Sequence, residues 1–175
     1  MKDMMGLVEP LIPSLRRYAR SLLREPAAAD DLVQDCLERV ISRWHQRRSD
    51  GDTRTWVFTI LHHLAMNRLR QAKRRGWHGA IEDAEEAVIA RPAAQEDALL
   101  HRDLLNGLAA LAEDQRSVLL LVSVEGLSYA EVAKVLDIPA GTVMSRLARA
   151  RQKLMLSMEG NNVVSITSPN LRSVK

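Results

Sequence analysis

The chain has 175 residues, 46% of them hydrophobic and 27% charged, with 3% aromatics and a formal net charge of +3. That length allows one or two domains with a buried core, and an Ala- and Leu-rich composition with little Pro or Gly excludes a strand-built protein and points to an all-helical one. The single cysteine, Cys36, excludes an intramolecular disulfide and a multi-cysteine zinc site, and no apolar run approaches a membrane span.

The first five residues, Met1–Met5, are expected to lack structure. Glu9, Pro10 and Pro13 interrupt what a secretory signal would need, so a cytoplasmic location without membrane insertion is expected. Val8, Leu11, Ile12, Leu15, Tyr18, Leu22 and Leu23 recur at helical spacing and predict a first amphipathic helix, loosened near Pro13. Pro26 marks the next helix start. From Ala28 to Trp44 an apolar stripe runs through Leu32, Val33, Cys36, Leu37, Val40, Ile41 and Trp44. Cys36 within that stripe is a packed, inert thiol. The opposite face carries Asp30, Asp31, Gln34, Asp35 and Glu38. Acid concentrated on one helix of an otherwise basic segment is either a solvated surface or a docking face for a basic partner.

Ser49–Thr53 reads as a loop, followed by a long helix over residues 54–75. Its core side is Trp56, Val57, Ile60, Leu61 and Leu64. His63, Asn67, Arg70 and Arg74 follow one another at spacings of four, three and four, with His62, Met66 and Lys73 beside them. This polar, increasingly basic stripe suits a nucleic-acid backbone and base edges. Adjacent histidines on a helix point about 100° apart and no ligand recurs at i+4, so no metal is expected at His62 and His63.

Charge divides the chain. Residues 1–75 hold 15 Lys/Arg against 9 Asp/Glu, residues 76–99 hold 1 against 6, and residues 100–175 hold 9 against 7. Residues 76–98, with Gly76, Gly79 and Pro92, read as an acidic flexible linker between two modules. A helix carrying Leu100, Leu104, Leu105, Leu108 and Leu111 follows, then one from about Ala112 that buries Val118, Leu119, Leu121 and Val122 and ends at Gly126. Ser128 and Glu131 form a capping box that opens a short helix, which Pro139 prevents from continuing. A second helix from Gly141 places Val143, Leu147, Ala150 and Leu154 on one stripe. Its other face shows Thr142, Ser145, Arg149 and Gln152, flanked by Arg146, Arg151 and Lys153, with no acid. Two helices, a tight turn and a basic outer face make a helix-turn-helix whose second helix fits a major groove. Residues 159–175 read as a disordered tail.

Taken together, residues 8 to about 155 resemble the extracytoplasmic-function (ECF) sigma factors, the compact branch of the sigma-70 family. Ala29–Leu37 (ADDLVQDCL), Thr55–Ile60 (TWVFTI), Leu111–Leu121 (LAEDQRSVLLL) and Gly141–Leu154 (GTVMSRLARARQKL) carry the likeness. The chain departs from the family pattern at His62 and His63. The resemblance implies two small helical domains, at 1–75 and 99–158, joined by the linker at 76–98. It implies that Asp30, Asp31, Gln34 and Glu38 dock on the β′ clamp helices of core RNA polymerase, with the second domain on the β flap. It implies that His63, Asn67, Arg70 and Arg74 read and melt the minus-ten element. Gly141, Thr142, Ser145, Arg146, Arg149 and Lys153 would then read the minus-thirty-five element. An anti-sigma factor is implied as a further partner, and no cofactor.

Two other classes compete. A stand-alone regulator with a LuxR-like helix-turn-helix would bind duplex DNA as a dimer, but it needs a sensor or phosphoacceptor domain and the N-terminal half shows no βα alternation. An enzyme would need a phosphate loop, a metal constellation or a nucleophile–base pair, and no such pattern stands in the sequence.

Overall fold

A computed structural model describes residues 2–23, 25–47, 51–74 and 95–166. The N-terminal half starts with α1 (Lys2–Val8), a 3-10 turn over Glu9–Leu11, and α2 (Ile12–Leu23). The expectation of an unstructured start is not met over Lys2–Met5. Met4 is buried, and α1 packs against the long fourth helix. The break in the first apolar pattern falls at Pro10 rather than Pro13, because Pro13 sits in the first turn of α2, where a missing amide leaves no helical bond unmade.

Next come α3 (Pro26–Arg43) and α4 (Thr53–Arg74). Ala29, Leu32, Val33, Cys36 and Val40 of α3 are all buried. Ile41, expected in that stripe, is 56% exposed. A helix turns about 100° per residue, so Val40 takes the core position and carries Ile41 past it. Asp52 caps α4, accepting from the Thr55 amide at 2.8 Å and its hydroxyl at 2.5 Å. Burial pushes the Asp52 carboxyl up, but the bonds from Thr55 and the Arg54 amide outweigh it and hold the group below its ordinary value.

α4 buries more than one stripe, because it is covered on more than one side. Val57, Leu61 and Leu64 are buried as expected, while Trp56 and Ile60 are only partly covered. Phe58, His62 and Ala65 are buried as well. Tyr18 of α2 meets the Phe58 ring edge-on at 5.7 Å. The Cys36 thiol lies 3.8 Å from the Val57 carbonyl, and burial pushes it up to about 12, so it is inert as the stripe predicts.

The C-terminal half comprises α5 (Gln95–Ala110), α6 (Glu113–Ser123), α7 (Tyr129–Leu136) and α8 (Ala140–Ile166). The expected acidic linker lies mostly outside the described residues, but α5 begins inside it at Gln95. α8 runs to Ile166, so the expected tail is helical through that residue, and 167–175 lie outside the described residues. α5, α6 and α7 all pack on α8. A Cβ at Gly107 of α5 would stand 2.7 Å from Leu154 Cδ1, so glycine there permits the close approach of α5 to α8. Arg116 of α6 donates to the carbonyls of Leu108, Ala109 and Leu111 at 2.8, 2.8 and 2.9 Å, closing the end of α5 onto α6.

The two halves meet through α2 on α6 and α4 on α7, and their buried apolar residues form one continuous cluster.

Candidate nucleic-acid interface

The helix-turn-helix forms as its local chemistry dictates. The Ser128 amide donates to Glu131 Oε2 at 2.6 Å, and the Glu131 amide donates to Ser128 Oγ at 3.3 Å, the reciprocal pair of a capping box. α7 ends at Asp137, whose φ of 53° is left-handed. The Ile138 amide donates to Ala133 O at 3.0 Å and the Asp137 amide to Lys134 O at 3.4 Å, a Schellman closure that turns the chain. Pro139 and Ala140 then start α8. Gly126, with φ +67°, makes the earlier turn that leads out of α6.

On α8, Val143, Leu147 and Ala150 are buried and Leu154 partly so. Opposite them, Gly141, Ser145, Arg149, Gln152 and Lys153 face solvent, and Thr142 is half-buried. Arg146 departs from the expected reading set: its Nε lies 3.3 Å from Asp114 Oδ2, tying α8 to the start of α6. Met144 is 55% exposed beside Ser145, an apolar surface group that the basic pattern does not single out. Its signal is in the sequence all the same, since it lies off the core stripe.

On α4, His63, Asn67, Arg70 and Arg74 form the expected exposed stripe. Arg70 donates to Asn67 Oδ1 at 3.1 Å and to the Met66 carbonyl at 3.2 Å. His62, expected beside that stripe, lies in the core at 8% exposure. Its Nδ1 shares a 3.0 Å hydrogen bond with the Tyr18 hydroxyl, and burial, then the neighbouring His63, pull its pKa down to about 4. His62 is therefore a neutral packing residue. Arg68, on a different side of α4, bonds Ala28 O at 2.8 Å and Asp35 Oδ2 at 2.5 Å, fixing α4 to α3.

The acidic face of α3 divides into paired and open groups. Asp30 accepts from Arg20 at 3.1 and 3.2 Å, with Arg16 at 3.9 Å, so α2 holds it. Asp31, Gln34 and Glu38 are exposed, and the exposed Ile41 continues their line at spacings of three, four and three. Ile41 stands outside although it is apolar, because Val40 beside it fills the core position of that turn.

Two family models match the chain: the "Sigma2 domain of PhyR" over residues 8–62 and "Sigma-70, region 4" over residues 96–154. The chain is 34% identical over 146 residues to the ECF RNA polymerase sigma factor EcfG of Rhodopseudomonas palustris, covering 82% of this chain and 78% of that protein. It is 32% identical over 143 residues to the ECF sigma factor SigC of Mycobacterium tuberculosis, covering 81% and 76%. Among solved structures, the sigma factor RpoE of Bartonella quintana, crystallised with the anti-sigma factor NepR, matches with a TM-score of 0.79 at 27% identity, over 91% of this chain and 98% of that one. A sigma-domain match at each end, relatives aligned along most of their length, and a helix-turn-helix with an open basic face place this chain in the ECF sigma factors of the sigma-70 family, the alternative sigma subunits that direct RNA polymerase to particular promoters.

Proposed function

We propose that the open stripe on α8 reads the minus-thirty-five element and the open stripe on α4 reads and melts the minus-ten element. The observation that carries this is the split of α8 into a buried side, Val143, Leu147 and Ala150, and an exposed side, Ser145, Arg149 and Gln152, free of acid. Arg149 can bond guanine bidentately and Ser145 can bond several base edges. Lys153 neutralises phosphate and sets register, while Arg146 acts through its hold on Asp114. On α4, Asn67 and His63 offer hydrogen bonds to exposed bases, and Arg70 and Arg74 lie along the backbone. Melting needs no covalent step, since trapping unstacked bases offsets a few kcal/mol of unstacking. The chain carries out no reaction of its own.

Asp31, Gln34, Glu38 and Ile41 form the docking face for the clamp helices of β′, with Asp30 contributing from its place beside Arg20, and the C-terminal half docks on the β flap. The work is done in the cytoplasm, where polymerase is. The likeness to RpoE, solved with NepR, supports an anti-sigma factor as a further partner.

Run-off transcription with core polymerase tests the reading. The chain should direct initiation at two-element promoters, and Arg149→Ala should weaken that initiation by about 1–3 kcal/mol in transition-state binding, about 5- to 150-fold, with relaxed preference at one upstream base. Unchanged promoter use by Arg149→Ala removes Arg149 from the reading face.

A further inference from the structure

The exposed side of α8 is not uniformly polar. A helix turns about 100° per residue, so residues four apart stand one above the other, offset by about 40°. Ser145 and Arg149 make one such column, and both are exposed. Met144 and Ala148 make a second column beside it, one residue earlier, and both are exposed as well. The core takes its apolar side chain in this turn from Val143, which is fully buried, while Met144 leaves 55% of its surface open.

Cations border the two columns. Arg151, seven residues beyond Met144, projects about 20° outside it, and Lys153 lies on the far side, past Arg149. The apolar column therefore sits inside the cationic rim, where a reading helix meets base edges, and not on the rim, where it meets phosphate. Met144 is also in the N-terminal part of α8, the part of a recognition helix that reaches the bases. A thioether side chain is flexible and fills irregular apolar gaps. In the major groove the apolar group that a base pair presents is the C5-methyl of thymine. Arg149 and Ser145 suit hydrogen-bonding edges, and Met144 suits the methyl.

We propose that Met144 is a specificity-determining residue of the upstream reader: its side chain packs on the C5-methyl group of a thymine in the minus-thirty-five element, and the small Ala148 leaves room for that methyl beside it. The inference rests on the assignment of α8 to the upstream element. Met155 supplies an internal control. It belongs to the same column and is 60% exposed, but it lies three turns further on, about 16 Å along the axis.

Deoxyuridine pairs as thymidine does and lacks only the C5-methyl, so it isolates the contact. The full-length chain with core polymerase carries the test. Promoters randomised over the upstream element and selected by run-off initiation supply the template. Each thymine of that element, on either strand, is then replaced in turn by deoxyuridine. With the native chain, replacement at one position should lower initiation at sub-saturating holoenzyme by about three- to fivefold, the scale of one buried methyl. Met144→Ala, which keeps a good helix former at an exposed site, should lower initiation on the thymine template by a similar factor. It should then respond to that deoxyuridine by less than about 1.5-fold, because the same contact cannot be lost twice. Met155→Ala should discriminate as the native chain does. A selected element without thymine, a native chain indifferent to every replacement, or a Met144→Ala chain still sensitive to deoxyuridine would overturn the proposal. So would equal loss of discrimination in Met155→Ala, or weakened competition of Met144→Ala for core polymerase, which would make Met144 a protein contact. Failure of the α8 assignment looks different: selection then enriches no upstream sequence, and Arg149→Ala changes nothing.

Discussion

His62 shows how one buried side chain links packing to pH. Its ring lies against Tyr18 and next to His63, and its pKa falls from 6.5 to about 4 because burial disfavours the imidazolium. Between those values the unfolded chain binds a proton that the folded chain does not. Stability is therefore full above about pH 6.5 and is lost as pH falls toward 4, by at most about 3 kcal/mol. Urea unfolding midpoints measured between pH 4 and 7 should show this decline, and His62→Gln should flatten it. An unaltered slope in that variant would assign the pH dependence to other groups. Arg146 makes a related point about arginine. Its place beside the reading stripe suggests a DNA contact, and its pairing with Asp114 makes it first a brace between α8 and α6.

At the scale of elements, α3 presents the clearest separation of roles. Its buried side is a continuous apolar stripe, and Arg68 and Arg20 take up two of its acids, Asp35 and Asp30. What remains open is a line of two acids, an amide and one apolar residue, suited to a basic partner with an apolar pocket. Asp31→Lys together with Glu38→Lys should weaken binding to core polymerase about tenfold or more, measured by competition against the unmodified chain. The same pair should alter folding stability by no more than about 0.5 kcal/mol per site, since both positions are exposed. Holoenzyme formation at native strength would return this face to ordinary solvated surface. The elements themselves were largely legible from sequence. The capping box at Ser128 and Glu131 and the stop at Pro139 are local hydrogen-bond chemistry, and α7 and α8 begin and end accordingly. The starts of α1 and α5 were not legible, because Met4 gains its burial from α4 and the first turn of α5 resembles the acidic linker before it.

At the scale of the whole molecule, recognition is divided between modest modules. Each reader offers few base contacts, and polymerase supplies the effective concentration that couples them. The free chain should accordingly bind a full promoter duplex only at non-specific strength, with a Kd of about 10⁻⁴ to 10⁻⁶ M at physiological salt and steep weakening as salt rises. Fluorescence anisotropy with labelled duplex measures this. Nanomolar, salt-tolerant binding by the free chain would favour the stand-alone regulator instead.

The sequence alone determined what depends on neighbours along the chain. Helical periodicity, caps and breakers set most helices, the basic face of α8 and the stripe on α4, because those signals act within a few residues of each other. Tertiary structure alone decided which polar groups stay open. Arg146, Arg68 and Asp30 are taken up by partners on other helices, His62 is drawn inside by Tyr18, and Ile41 is left outside. The same is true of Glu125. Nothing within its own turn marks it out, and only the meeting of α2, α4 and the loop before α7, 108 residues along the chain from Arg17, buries its carboxylate in an arginine fork. Burial and pairing are properties of the assembled surface, and no local pattern encodes them.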